Sequence, residues 1–140
     1  MAPEGAPVPT TTDQLLRSMP YAVALGMVVT EAAPDAVRGH LDWDPGLCTA
    51  AGIMHGGALM TFADSLGAIC AFLNLPPGAG TSTIESKTNL FRAVRAGRVT
   101  GDTAPLHVGR TTIVVQTDLR DDAGKRVAQV TQTQAVLPAT

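Results

Sequence analysis

A glycine pair after a histidine, His55-Gly56-Gly57, and a lone carboxylate eight residues on, Asp64, are the residues of this chain best placed to do chemistry. If Gly56 and Gly57 open a helix, their backbone N–H groups are among its orphan donors, and the helix dipole there favours negative charge. Such a place can hold a carbonyl oxygen while it becomes an oxyanion. A carboxylate can attack the carbonyl carbon, or take the proton of a water that does. Asp64 is the single charge in an almost wholly apolar run, Ala58 to Leu73. Burying it costs several kcal/mol unless it is paired or changes its protonation state. It is therefore either a satisfied core acid or a group facing a cleft.

The run around Asp64 reads as one long helix. Ala, Leu, Met, Phe and Ile fill it, and no proline intervenes before Pro76. A helical wheel puts Gly57, Met60, Thr61, Asp64, Gly67, Ala68 and Ala71 on one small-residue face, with Leu59, Phe62, Leu66, Ile69 and Leu73 elsewhere. A helix apolar nearly all round is buried. Its length also raises a membrane-spanning reading, against which stand Asp64, the glycines and the strand-rich remainder.

The rest of the chain must position that helix. Residues 1–11, rich in Pro, Ala and Thr, read as a disordered segment, and 12–140 as a single domain. A short helix is expected from Thr12 to Ser18, then a turn ending at Gly26. Residues 27–32 and 36–43 read as a hairpin, closed by Asp44-Pro45-Gly46. After the break at Pro76-Pro77-Gly78, strands are expected at about Ser82–Phe91, Arg98–His107, Thr111–Arg120 and Arg126–Leu137, arranged as a four-stranded meander. The class is α+β: an antiparallel sheet packed on one buried helix.

Composition narrows the function. At 140 residues with 45% apolar content the chain can build a real core, and a net charge of −2 with no basic tract argues against nucleic-acid binding. Cys48 and Cys70 form no CxxC pair and read as free thiols of a reducing compartment. The first residues lack the pattern of a signal peptide, so a cytoplasmic location is expected. The three histidines show no metal-ligand spacing.

Gly56 and Asp64 are about 12 Å apart along a helix axis. One small carbonyl does not reach both. If both act on the same group, Asp64 comes from a second copy of the chain, and two sites straddle a two-fold interface.

His55-Gly56-Gly57, six residues and then Asp64 resembles the hotdog-fold acyl-CoA thioesterases, and the aspartate version the phenylacetic-acid-degradation (PaaI-like) branch. Asn89-Leu90-Phe91-Arg92, His107-Val108-Gly109-Arg110-Thr111 and the closing strand support the resemblance, which covers roughly Leu25 to Leu137. It implies a curved antiparallel sheet wrapped around the long helix, homodimers or homotetramers, and hydrolysis of acyl-CoA thioesters. By position, Gly56 N–H would polarise the thioester carbonyl and the partner-chain Asp64 would be nucleophile or general base. His55 would shape the helix start, and Thr83 would assist the water. Where the family often carries Asn or Gln, six residues before the histidine, this chain has Thr49, whose reach is shorter. Gly57, Phe91, Arg92, His107 and Arg110 are the expected contacts to coenzyme A; Arg92, Arg95 and Arg110, with His107 beside them, are expected near one mouth, where arginine suits phosphate.

Each of these residues also has a plainer reading. His55 can be a helix cap, the glycines a flexible helix start, Thr83 an ordinary strand residue and the arginines solvated surface. Cys70 reads as core packing. The expected partners are an acyl-CoA substrate and a second copy of the chain, with no nucleic acid, no membrane and no cofactor beyond the coenzyme A of the substrate. The rival reading is a non-catalytic module on the same fold that binds acyl-CoA or an aromatic ligand. A hydratase of the same fold lacks support, because Asp42-Trp43-Asp44-Pro45 has no histidine downstream until His55.

Overall fold

The computed structural model describes residues 11–140. The expected disordered segment, residues 1–11, lies outside them except for Thr11. Thr11 is the N-cap of helix α1 (Thr12–Arg17): its hydroxyl accepts from Gln14 N–H and its own N–H donates to the Gln14 side chain. It therefore belongs with the helix. Helix α2 (Pro20–Leu25) ends at Gly26, whose φ of +88° is the left-handed turn that glycine adopts without cost.

Strands β1 (Val28–Ala33) and β2 (Ala36–Asp42) form the expected hairpin. Two 3-10 turns (Pro45–Leu47 and Ala50–Gly52) lead into helix α3 (Gly56–Leu73). Strands β3 (Gly80–Leu90), β4 (Arg98–Val108), β5 (Thr112–Arg120) and β6 (Arg126–Leu137) follow. Along β5 every second residue is buried, the signature of a strand with one face on a core.

The six strands make one antiparallel sheet in the order β1-β2-β4-β5-β6-β3. This corrects the expected four-stranded meander. Only β4, β5 and β6 run as one; β4 pairs with β2, and β3 lies at the far edge against β6. The cause is α3, which crosses the face of the sheet, touches every strand, and delivers the chain to the opposite edge before β3 begins.

The core lies between α3 and the sheet. Leu59, Phe62, Ala63, Leu66, Ile69, Cys70 and Ala71 of α3 are buried against Val37, Leu41, Val99, Ile113, Val115, Leu119 and Val130. Each large side chain so buried contributes about 1.5–3 kcal/mol. The helix packs over a paired glycine step, Gly39 opposite Gly101. A Cβ at Gly101 would run into Leu66; one at Gly39 would run into the Val28 carbonyl and also press on Leu66, so the two glycines form a saddle for the Leu66 side chain. Gly56–Leu73 is long and apolar enough to cross a membrane, but here it is the packed core helix of the domain. Its far end is tied down by Asn74, whose amide donates to Pro34 O at 2.8 Å and to Cys70 O at 2.9 Å.

Candidate active site

The start of α3 is built by His55. As N-cap it adopts φ −61° and ψ 133°, and its Nδ1 accepts from Gly57 N–H at 2.7 Å. Gly57's donor is thereby committed to the cap, so Gly57 can offer a ligand shape but not a hydrogen bond. Gly56 N–H has no acceptor among the described residues. It is the orphan donor that an anion at a helix N-terminus would use.

Gly56 borders a cavity of about 310 Å³ lined also by Thr49, Met54, Leu90, Phe91 and Arg92. Thr49 is placed there by a short turn that is left-handed at Ala51 (φ 63°) and Gly52 (φ 69°). Trp43 Nε1–H braces it through Gly52 O at 3.0 Å, and Arg95 reaches Ala51 O at 3.5 Å. The structure therefore brings Thr49, Gly56, Phe91 and Arg92 together, with His55 capping beside them.

Asp64 opens into a different cavity, of about 450 Å³. Met19, Pro20, Tyr21 and Ala22 from the α2 region line it, with Met60, Thr61 and Ser65 from α3 and Ser86 from β3. The carboxylate is half-buried. Loss of hydration raises its pKa above the ordinary aspartate value, and a hydrogen bond from Gln132 pulls in the other direction. Gln132 Nε2–H lies 3.4 Å from Asp64 Oδ1 and 3.5 Å from Asp64 O. The hydroxyls of Thr61 and Ser65 turn back onto helix carbonyls, Gly57 O and Thr61 O, and do not satisfy the acid.

The remaining expected site residues are dispersed. Thr83 accepts from Gln134 Nε2–H at 2.8 Å and does not line the Asp64 cavity; the β3 residue that does is Ser86. Arg92 and Arg110 do not share a mouth within one chain. Leu90 pairs with Ala128 of β6, and Ala135 of β6 pairs with Thr112. Seven residues along one strand put the two ends roughly 23 Å apart. His107 and Arg110 sit at the end opposite Arg92. Cys70 is buried in the core, and burial, with a lesser push from Asp35, lifts its thiol to about 11, far from a reactive thiolate.

Ser86 and Gln132 are the polar neighbours of Asp64 not anticipated from the sequence. Gln132 had a detectable signal. Val130, Gln132 and Gln134 share one parity of β6, and the apolar member predicts that the two amides also point inward.

Two half-sites thus occupy one helix: a free N–H donor with Thr49 at its start, and a desolvated carboxylate two turns on. The first suits a developing oxyanion and the second a nucleophile or proton acceptor. The sequence profile of the thioesterase superfamily matches residues 51–128. The chain is similar to the candidate esterase Rv1847 of Mycobacterium tuberculosis, at 32% identity over 126 residues that cover 88% of this chain and 90% of that protein. It is also similar to the 1,4-dihydroxy-2-naphthoyl-CoA hydrolase of Escherichia coli, at 33% identity over 86 residues covering 61% and 63% of the two chains. Its fold matches the crystal structure of a mutant of thioesterase PA1618 from Pseudomonas aeruginosa with a TM-score of 0.87 at 28% identity, over 94% of this chain and 96% of that one. Profile, relatives and the sheet wrapped on its helix agree: the chain belongs to the thioesterase superfamily of hotdog-fold hydrolases.

Proposed function

We propose that the chain hydrolyses an acyl-CoA thioester at a site shared by two copies, with Asp64 of one facing Gly56 of the other. The observation that carries this is Asp64 itself, a desolvated carboxylate open to a cavity. Asp64 takes a proton from water and the hydroxide adds to the thioester carbon. The carbonyl oxygen becomes an oxyanion held by Gly56 N–H; the C–S bond then breaks, and the thiolate leaves and is protonated. In the nucleophilic variant Asp64 adds first, expels the thiolate, and the resulting anhydride is opened by water. Either way the products are a carboxylic acid and free coenzyme A. The relative that cleaves a naphthoyl-CoA supports the choice of coenzyme A as the leaving group.

The edge strand supports a second copy. β3 is 11 residues long and has no partner on its outer side among the described residues. On it Ile84 is 64% exposed, and Phe91, just past its end, is 54% exposed, apolar surface suited to burial. On β3, Leu90 lies against Gly56 and Ser86 borders Asp64. Antiparallel pairing of two β3 strands about Thr88 would set Leu90 of one copy opposite Ser86 of the other, and so each Gly56 beside the other copy's Asp64. The same pairing would carry His107 and Arg110 of the second copy to the end of the sheet where Arg92 lies, three to four strand spacings or about 14–19 Å away. The contacts to coenzyme A at Phe91, Arg92, His107 and Arg110 would then come from both copies, and a cytoplasmic setting would supply the substrate. The acyl group would lie toward Met19, Tyr21 and Met60.

The test is thiol release from benzoyl-, phenylacetyl- and fatty acyl-CoA. Wild type is expected to release thiol from at least one, and Asp64→Ala to lower turnover by two orders of magnitude or more with KM little changed. Binding without thiol release across the panel would favour the non-catalytic module, a reading to which Thr49 in place of an amide lends some weight.

A further inference from the structure

We propose that Gln132 is a positioning residue for Asp64, holding the carboxylate from the sheet side. The inference rests on the catalytic reading of Asp64. Gln132 is 1% exposed, on β6 next to the edge strand, paired with Val115 on one side and Ser86 on the other. Its Nε2–H group reaches both Oδ1 and the backbone oxygen of Asp64. At 3.4 and 3.5 Å these bonds are long, as catalytic contacts often are before substrate closes the site. Its Oε1 is buried without a partner among the described residues.

An orphaned buried acceptor is costly. An apolar residue of the same size would avoid that cost, so packing alone does not account for a glutamine here. The helix also makes room for it. A Cβ on Gly67, one turn beyond Asp64, would run into the Gln132 amide. The small residue and the amide are thus one arrangement: Gly67 admits the head group, and the head group touches the acid. The orphaned Oε1 has a use in the same arrangement. While Asp64 is ionised, the amide donates to it. When Asp64 holds a proton, the amide turned over presents Oε1 as the acceptor.

The other groups facing Asp64 do not do this. Tyr21, across the cavity, is 69% exposed and is the only other titratable side chain lining it among the described residues. Ser86 faces it from β3, where Glu85 and Lys87 take the opposite parity.

Gln132→Met keeps the length and removes the amide. It is expected to lower kcat about tenfold with KM within twofold, as loss of a hydrogen bond to a charged group would. The acid limb of the pH–rate profile is expected to move to higher pH, because the ionised carboxylate loses its donor. Melting temperature is expected to hold or rise, since the orphaned acceptor is gone. Gly67→Ala, which displaces the flexible end of Gln132 from the helix side, is expected to shift the limb the same way. The Asp64 carboxyl titration, followed by carbon NMR and assigned with Asp64→Asn, is expected to rise in both variants whether or not thioester is cleaved. If the titration moves but wild type releases no thiol, the positioning stands and the hydrolase reading falls. If thiol is released but neither titration nor kcat responds to Gln132→Met, the positioning is overturned.

Discussion

Gly56 contributes only backbone, so its role is tested by removing the N–H and nothing else. Proline does this at the first helical position, where its ring is accepted. His55 already has the φ and ψ that a residue preceding proline requires. The one close neighbour of an added Cβ is the end of the flexible Leu90 side chain, at 2.7 Å. Gly56→Pro is therefore expected to fold as wild type by circular dichroism and to lose about 10²–10³ in kcat. Wild-type turnover in this variant would remove Gly56 from the mechanism. At this scale the sequence disclosed Asp64 and Gly56 because each broke a local pattern: a charge in an apolar run, and glycine where a helix begins. Gln132 broke a pattern too, but its partner lies 68 positions away, across a contact no spacing encodes.

The helix start as an element depends on His55, and capping and chemistry predict different outcomes there. Through Nδ1 the ring satisfies Gly57 N–H. His55→Ala is expected to cost about 1 kcal/mol in denaturant unfolding, and asparagine, a strong N-cap, to restore most of it. If the ring acts by fixing the geometry of Gly56, turnover recovers in His55→Asn along with stability. If stability returns without turnover, the imidazole has a chemical part of its own. The elements themselves were legible: the observed strands begin and end within about two residues of those expected, because alternation and turn residues are local signals. Strand order was not. The pairing of β3 with β6 joins segments separated by the whole of β4 and β5, and the burial patterns on both sides would have served a meander equally well.

The whole molecule supplies the strongest test of a shared site. A chain with Gly56→Pro keeps its Asp64, and a chain with Asp64→Ala keeps its Gly56. Co-expressed in equal amounts, half the dimers would be mixed, and each mixed dimer would hold one intact site and one doubly defective one. Recovered activity is then expected at about a quarter of wild type, although each variant alone is nearly inactive. If one chain held a complete site, co-expression would recover nothing. The proposed gathering of Arg92 with His107 and Arg110 belongs to this scale as well. One protomer puts them at opposite ends of its sheet, so the shared mouth expected from the resemblance needs a second copy.

The glycine saddle under Leu66 makes α3 a lever with unequal arms. Leu66 is the fulcrum, roughly 3 Å along the axis from Asp64 and roughly 15 Å from Gly56. Rocking of the rod about that seat swings the Gly56 backbone about five times as far as the Asp64 backbone. Packing errors at Gly39 or Gly101 are therefore expected to show first as a misaimed N–H, with the Asp64 backbone moving less.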